Sequence, residues 1–157
     1  MRHPDDELAD ALLAASRALV GVAARSLADV EVTLPQFRAL VLIASRQRTT
    51  VSVLAAALGI HSTSATRLCD RLVRKRLIRR TEGTDDRRET DLHLAAAGRR
   101  LVERVTDRRR EDLACIAARM GDVDASAASA ALEAFAAAAE RSALVHADLF
   151  GWQPAER

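Results

Sequence analysis

The residues of this chain best suited to chemistry lie between Ser62 and Arg88, and that chemistry is recognition of anions and base edges. Ser62, Ser64, Thr66, Arg67, Arg71 and Arg74 crowd one segment, and Arg87 and Arg88 follow an acidic pair, Asp85 and Asp86. A guanidinium can bridge two acceptors on a guanine edge, while Ser and Thr hydroxyls serve phosphates and bases with less discrimination. At helical spacing Ala65, Leu68, Cys69 and Leu72 share one face, so the polar and basic residues spread over the others. The inner face can pack and the outer face can read. An Arg-rich solvated surface helix would show the same pattern, so the neighbouring elements have to decide.

Those neighbours form an ordered set. Thr50 can cap a short helix whose apolar residues are Val53, Leu54, Ala57 and Leu58, and Gly59 stands where a left-handed C-terminal turn needs it. After Ile60, either His61 or Ser62 caps a second helix running to about Arg76. Two helices joined by a short Gly-containing turn make a helix-turn-helix, whose second helix can enter a DNA major groove. Leu77 to Arg80 is then a strand candidate, TEGTDD supplies turn residues, and Glu89 to Leu94 alternates in polarity. The pair reads as a hairpin wing.

The wing's charge is mixed, since Asp85, Asp86, Glu89 and Asp91 accompany Arg79, Arg80, Arg87 and Arg88. We expect Asp86 to pair with one arginine and fix the hairpin tip. That leaves Arg87 to enter a narrow A·T-rich minor groove, where the potential is most negative. The competing reading is a solvated turn whose surface ion pairs are worth under about 1 kcal/mol each.

Helices flank this unit on both sides. From Asp5 to about Leu27, the residues Leu8, Leu12, Ala15, Leu19 and Val22 fall on one stripe, to be buried on the chain's own core or on a partner subunit. Thr33, Pro35 and Gln36 open a helix to about Ser45 that carries Phe37, Leu40, Val41 and Ile43, and the polar RQRTT after it reads as a loop. From about Ala96 a long helix bears Leu101, Val105, Leu113, Ile116 and Met120 and ends near Gly121. Asp122 or Asp124 caps a last, Ala-rich helix with Leu132, Phe135, Leu144 and Val145, and Asp148 to Arg157 reads as a tail.

Composition agrees with a helical protein. The 157 residues suffice for one substantial core, 49% of them are apolar, and only 6 Gly and 3 Pro interrupt them. A net charge of +2 says little about partners, so only the distribution of charge informs. Cys69 and Cys115 stand apart without neighbouring ligands, and His3, His61, His93 and His146 show no metal spacing, so we expect no metal, no cofactor and no disulfide. No apolar run approaches the roughly 18 residues that span a bilayer, and the N-terminus lacks the order of a signal peptide, so a cytoplasmic protein without a membrane partner is expected. Nucleophile elbows, phosphate loops and helix-borne H-E-x-x-H are missing, which argues against an enzyme.

The order of elements, with LGIHSTSATRLCDRLVRKRLI and DDRRETDLHLAAAG, resembles the MarR (multiple antibiotic resistance regulator) family of bacterial transcription regulators. Its most specific piece is the wing pattern, in which Asp86, Arg88, Leu94 and Gly98 stand in the family's places. The resemblance implies a homodimer whose first, fifth and sixth helices intertwine and present two winged units to double-stranded DNA bearing a pseudo-palindromic operator. It also implies that Arg87 is the minor-groove residue and Arg88 a structural partner. Two departures stand out. Ala95 replaces the family's usual Thr and removes a capping hydroxyl, and Arg76 stands where Gly is common, so a left-handed residue there would cost about 1 kcal/mol.

The fold class is therefore mainly α with a small β-hairpin wing. A winged helix-turn-helix occupies 33–96 and a helical dimerisation region 5–32 and 97–148. The expected function is a dimeric, sequence-specific DNA-binding regulator, a repressor released by a small lipophilic or aromatic ligand. Its DNA-binding residues would be Ser62, Ser64, Thr66, Arg67, Arg71, Arg74, Arg87 and Arg88, with Asp86 orienting the wing. Position alone nominates Leu12, Ser16, Phe37, Leu40 and Leu101 for the ligand, and ordinary core packing competes for each of them. The alternative function is a winged-helix protein–protein interaction module without DNA binding. Cys69 falls on the packed face of its helix and is better explained by packing than by redox sensing.

Overall fold

The computed structural model describes residues 3–46, 48–82 and 90–141. Helices α1 (Pro4–Ser26), α2 (Leu34–Ser45), α3 (Val51–Leu58) and α4 (Ser62–Arg74) lead to strands β1 (Ile78–Glu82) and β2 (Thr90–Leu94), followed by α5 (Ala96–Ala117) and α6 (Ala125–Arg141). No described helix is long and apolar enough to cross a membrane.

Local chemistry sets most of these boundaries. Thr33 and Gln36 form a reciprocal capping box at the start of α2, with Pro35 in the first turn. The Thr50 hydroxyl accepts from Val53 N–H at 3.3 Å and opens α3, and Gly59, at φ 65°, closes it in the left-handed region. His61 holds the cap position of α4 without a side-chain bond, so the choice left open between His61 and Ser62 falls on His61. Asp124 caps α6, its Oδ1 accepting from Ser126 and Ala127 N–H at 2.9 and 3.2 Å. Ala95, as its side chain dictates, gives α5 no side-chain cap.

The end of α4 shows why β1 starts later than its sequence suggests. Arg76 adopts φ 57°, the left-handed conformation anticipated at that position, and Leu77 N–H bonds back to Leu72 O at 3.0 Å. This six-to-one closure spends Leu77 on the helix end, so pairing begins at Ile78. Leu77 O then accepts Ala95 N–H at 2.9 Å, and α5 passes so close that a Cβ on Gly98 would collide with that carbonyl. Only glycine fits there.

The two strands pair antiparallel, with Ile78 opposite Leu94 and Arg80 opposite Leu92. The free edge of β2 gains a further partner that sequence periodicity misses. Leu92 N–H donates to Thr49 O at 2.7 Å and Thr50 bridges Asp91, so the end of the RQRTT loop is tied to β2 by an isolated bridge. One core joins α2, α3, α4 and the strands with the first half of α5, centred on Leu40, Leu42, Leu54, Leu72, Leu92, Val102 and Val105. The four apolar residues expected of α2, Phe37, Leu40, Val41 and Ile43, are all buried in it.

The outer helices are different. On the α1 stripe only Val22 is buried, while Leu8 and Leu19 are exposed. Ile116 and Met120 on and just beyond α5, and Leu132 and Phe135 on α6, are exposed as well. Leu144, Val145 and the segment 148–157 lie outside the described residues.

Candidate nucleic-acid interface

Helix α4 divides cleanly. Ala65, Leu68, Cys69 and Leu72 are buried, and Ser62, Thr63, Ser64, Thr66, Arg67, Arg71 and Arg74 are exposed. The Thr66 hydroxyl donates to Ser62 O at 2.9 Å, which commits its proton to the helix and leaves its lone pairs outward. Among the described residues no carboxylate pairs with Arg67, Arg71 or Arg74. Burial pushes the Cys69 thiol up from its ordinary value, so it stays protonated inside the core.

Two ion pairs that sequence reading missed hold the wing's base. Arg80 on β1 pairs with Asp70 on α4 at 2.8 Å, tying the hairpin to the helix it follows. Arg48 Nε donates to Asp91 Oδ1 at 2.8 Å, and Asp91 is buried. Asp91 and Arg80 look in sequence like members of a mixed wing cluster, yet each has a separate task. The signal for Asp91 is its place in a strand just before the apolar Leu92, where an unpaired buried carboxylate would be costly. Asp86, Arg87 and Arg88, at the wing tip, lie outside the described residues.

The positions nominated for a ligand are scattered. Leu40 is sealed in the core, Leu12 is half-buried on α1, and Leu101 lines a separate surface depression with Asp29, Lys75 and Arg104. Ser16 lines a cleft of about 310 Å³ between α1 and α5, together with Leu19, Val20, Arg109 and Leu113. Phe37 is buried beneath Arg109, whose guanidinium carbon stands 5.8 Å from the ring centre. Among the described residues no group of His, Cys, Asp and Glu could hold a metal ion.

A helix-turn-helix with a strand hairpin behind it, presenting an exposed basic face on its second helix, defines a winged-helix protein. The MarR family model matches residues 32–90, which spans α2 to the start of β2. Mycobacterium tuberculosis RV1404 is 35% identical over 92% of this chain and 100% of its own, with a TM-score of 0.78. A MarR family protein from Bacillus stearothermophilus is 25% identical over 83% of this chain and 91% of its own, at 0.74. A mutant of Staphylococcus aureus MepR bound to an oligodeoxyribonucleotide shares the fold at 21% identity, over 87% of this chain and 99% of its own, at 0.63. No curated protein matches the sequence. The chain belongs to the MarR family, whose members are transcription regulators.

Proposed function

We propose that the chain works as a homodimeric, sequence-specific DNA-binding regulator, a cytoplasmic repressor released by a small lipophilic or aromatic ligand. The observation that carries this reading is α4, where an exposed row of arginines and hydroxyls backs onto a face wholly buried in the core. Such a helix is held rigidly by one side and presents donors on the other, as major-groove recognition requires. Arg67 and Arg71 would address guanine edges, while Ser62, Ser64, Thr66 and Arg74 would position the helix on phosphates. Asp86 would orient the wing, with Arg87 in the minor groove and Arg88 as its structural partner. The MepR mutant of the same fold is bound to an oligodeoxyribonucleotide, which supports the assignment.

What the outer helices leave in water supports the dimer. Leu8 and Leu19 on α1 and Leu132 and Phe135 on α6 are apolar side chains that a second copy would cover. Segments 5–32 and 97–148 would then pair two subunits and set two winged units, each 33–96, on half-sites about 34 Å or a multiple apart. Selection of bound duplexes from a random pool should return an inverted repeat. Affinity for that repeat should fall with salt at a log–log slope of about −0.9 per neutralised phosphate. A flat salt response with no enriched repeat would leave a protein-interaction module instead.

A further inference from the structure

The sequence of α4, STSATRLCDRLVR, contains one acid among 13 residues. That acid, Asp70, stands one helical turn from Arg67 on one side and from Arg74 on the other. At spacings of three and four, with the acid on the N-terminal side of Arg74, these are the ion pairs that an isolated helix would form. The folded chain forms neither. Asp70 Oδ1 instead accepts from Arg80 Nη2 at 2.8 Å, and among the described residues Arg67 and Arg74 have no carboxylate partner.

The hairpin explains why Arg80 takes the carboxylate. Side chains alternate along a strand, so Arg80 shares the face of the buried Ile78, and it lies opposite the buried Leu92. Arg79 takes the other face. The Arg80 side chain is only 35% exposed, and a stem already held against the core loses less freedom on pairing than a solvated arginine does. Burial raises the Cys69 thiol, and the Arg80 guanidinium opposes that rise, so the charge stands over the join between β1 and α4.

Both partners are open to solvent, so the pair adds little to stability. Its larger consequence is the field it leaves at the exposed face of α4. A carboxylate left unpaired there would draw Arg67 or Arg74 onto itself and would repel phosphates brought up to them. We propose that Arg80 is a positioning residue for DNA binding, which neutralises Asp70 and so keeps Arg67 and Arg74 free for the duplex. The assignment rests on the reading of α4 as the recognition helix and adds to it a residue that acts without touching base or phosphate.

The full-length protein is titrated by fluorescence anisotropy against a duplex carrying the inverted repeat enriched from the random pool. Arg80→Gln should weaken binding about tenfold, as expected when one member of a coupled charge network is lost. Adding Asp70→Asn should bring affinity back to within about threefold of wild type, because no carboxylate is then left to neutralise. A brace between wing and helix, or a direct contact from Arg80 to phosphate, stays lost in that double variant, so no recovery would overturn the proposal. Glu82→Gln restores the same net charge from elsewhere on β1 and should leave most of the loss in place. Equal recovery from Glu82→Gln would show that only net charge matters and would overturn the proposal, as would unchanged affinity in Arg80→Gln. Should Arg80→Gln fail to fold, Arg80→Met replaces it, and failure of both would assign Arg80 to the stability of the fold and overturn its role at the interface. A wild type that binds no enriched duplex would overturn the regulator reading itself. Binding by the wild type without recovery in the double variant would overturn the role of Arg80 alone.

Discussion

The recognition unit and the outer helices meet the same problem, burial of apolar side chains, with opposite results. The inner face of α4 reaches Leu68, Cys69 and Leu72 inside a core shared with α2, α3 and the strands, and leaves its polar face to solvent. Helices α1 and α6 carry comparable apolar residues yet leave Leu8 and Leu132 each 60% exposed. Helix α6 packs only marginally on any other described element. A unit whose core closes within one chain can act as a rigid reading head. Helices whose apolar faces stay open need another surface, which is the physical basis for expecting a second copy.

The contrast can be broken by matched truncations. Leu72→Ala, at a fully buried site, should lower stability to urea by about 2–5 kcal/mol at every protein concentration. Phe135→Ala should instead reduce the dimer fraction in sedimentation while changing the stability of the dissociated chain by only about 0.5 kcal/mol. Equal, concentration-independent losses from both would erase the distinction.

Within the closed unit, Asp91→Asn should cost about 1.5–3 kcal/mol, because Arg48 would lose its charged acceptor at a buried position. Replacing both partners with apolar residues, Arg48→Met with Asp91→Leu, should recover part of that loss in urea unfolding. A double variant no better than the single one would show that the charge pair is not what holds the wing's base. At the reading surface, Arg71→Ala should weaken operator binding by about 1–3 kcal/mol in gel-shift titration without moving the unfolding midpoint. Arg87→Ala should also weaken it, and unchanged affinity in either variant would remove that residue from the interface.

The smallest effect belongs to the outer helices. The Asp112 carboxyl is held below its ordinary value, chiefly by its hydrogen bond from Arg25. A depressed folded-state value means that this contribution is complete at neutral pH and fades as pH falls below about 4 toward that value. Arg25→Gln should therefore flatten the acid limb of a stability–pH curve, modestly, because Arg25 is open to solvent. An acid limb identical to wild type would show that the pair adds nothing.

Much of the recognition unit was legible in the chain because its determinants are local. Capping at Thr33, Thr50 and Gly59 depends on residues at most a few positions away, and the buried face of α4 follows from helical period. Arg76 in the left-handed region and the uncapped start of α5 were foreseeable from the family resemblance, which has Gly and Thr at those places. The RQRTT segment is a loop, as its composition suggests, but the bridge from its end to β2 was not legible, because the partner lies far along the chain and two residues carry no period.

The amino-acid sequence by itself determined which segments are helix or strand, which face of α4 packs, and which arginines of α4 stay exposed, since each depends on neighbours within a turn or two. Tertiary structure alone decided that Arg48 answers Asp91 across 43 residues, that α5 approaches Leu77 closely enough to require Gly98, and that Arg109 lies over the Phe37 ring. These are questions of which charges and surfaces meet, and only the folded path of the chain brings them together.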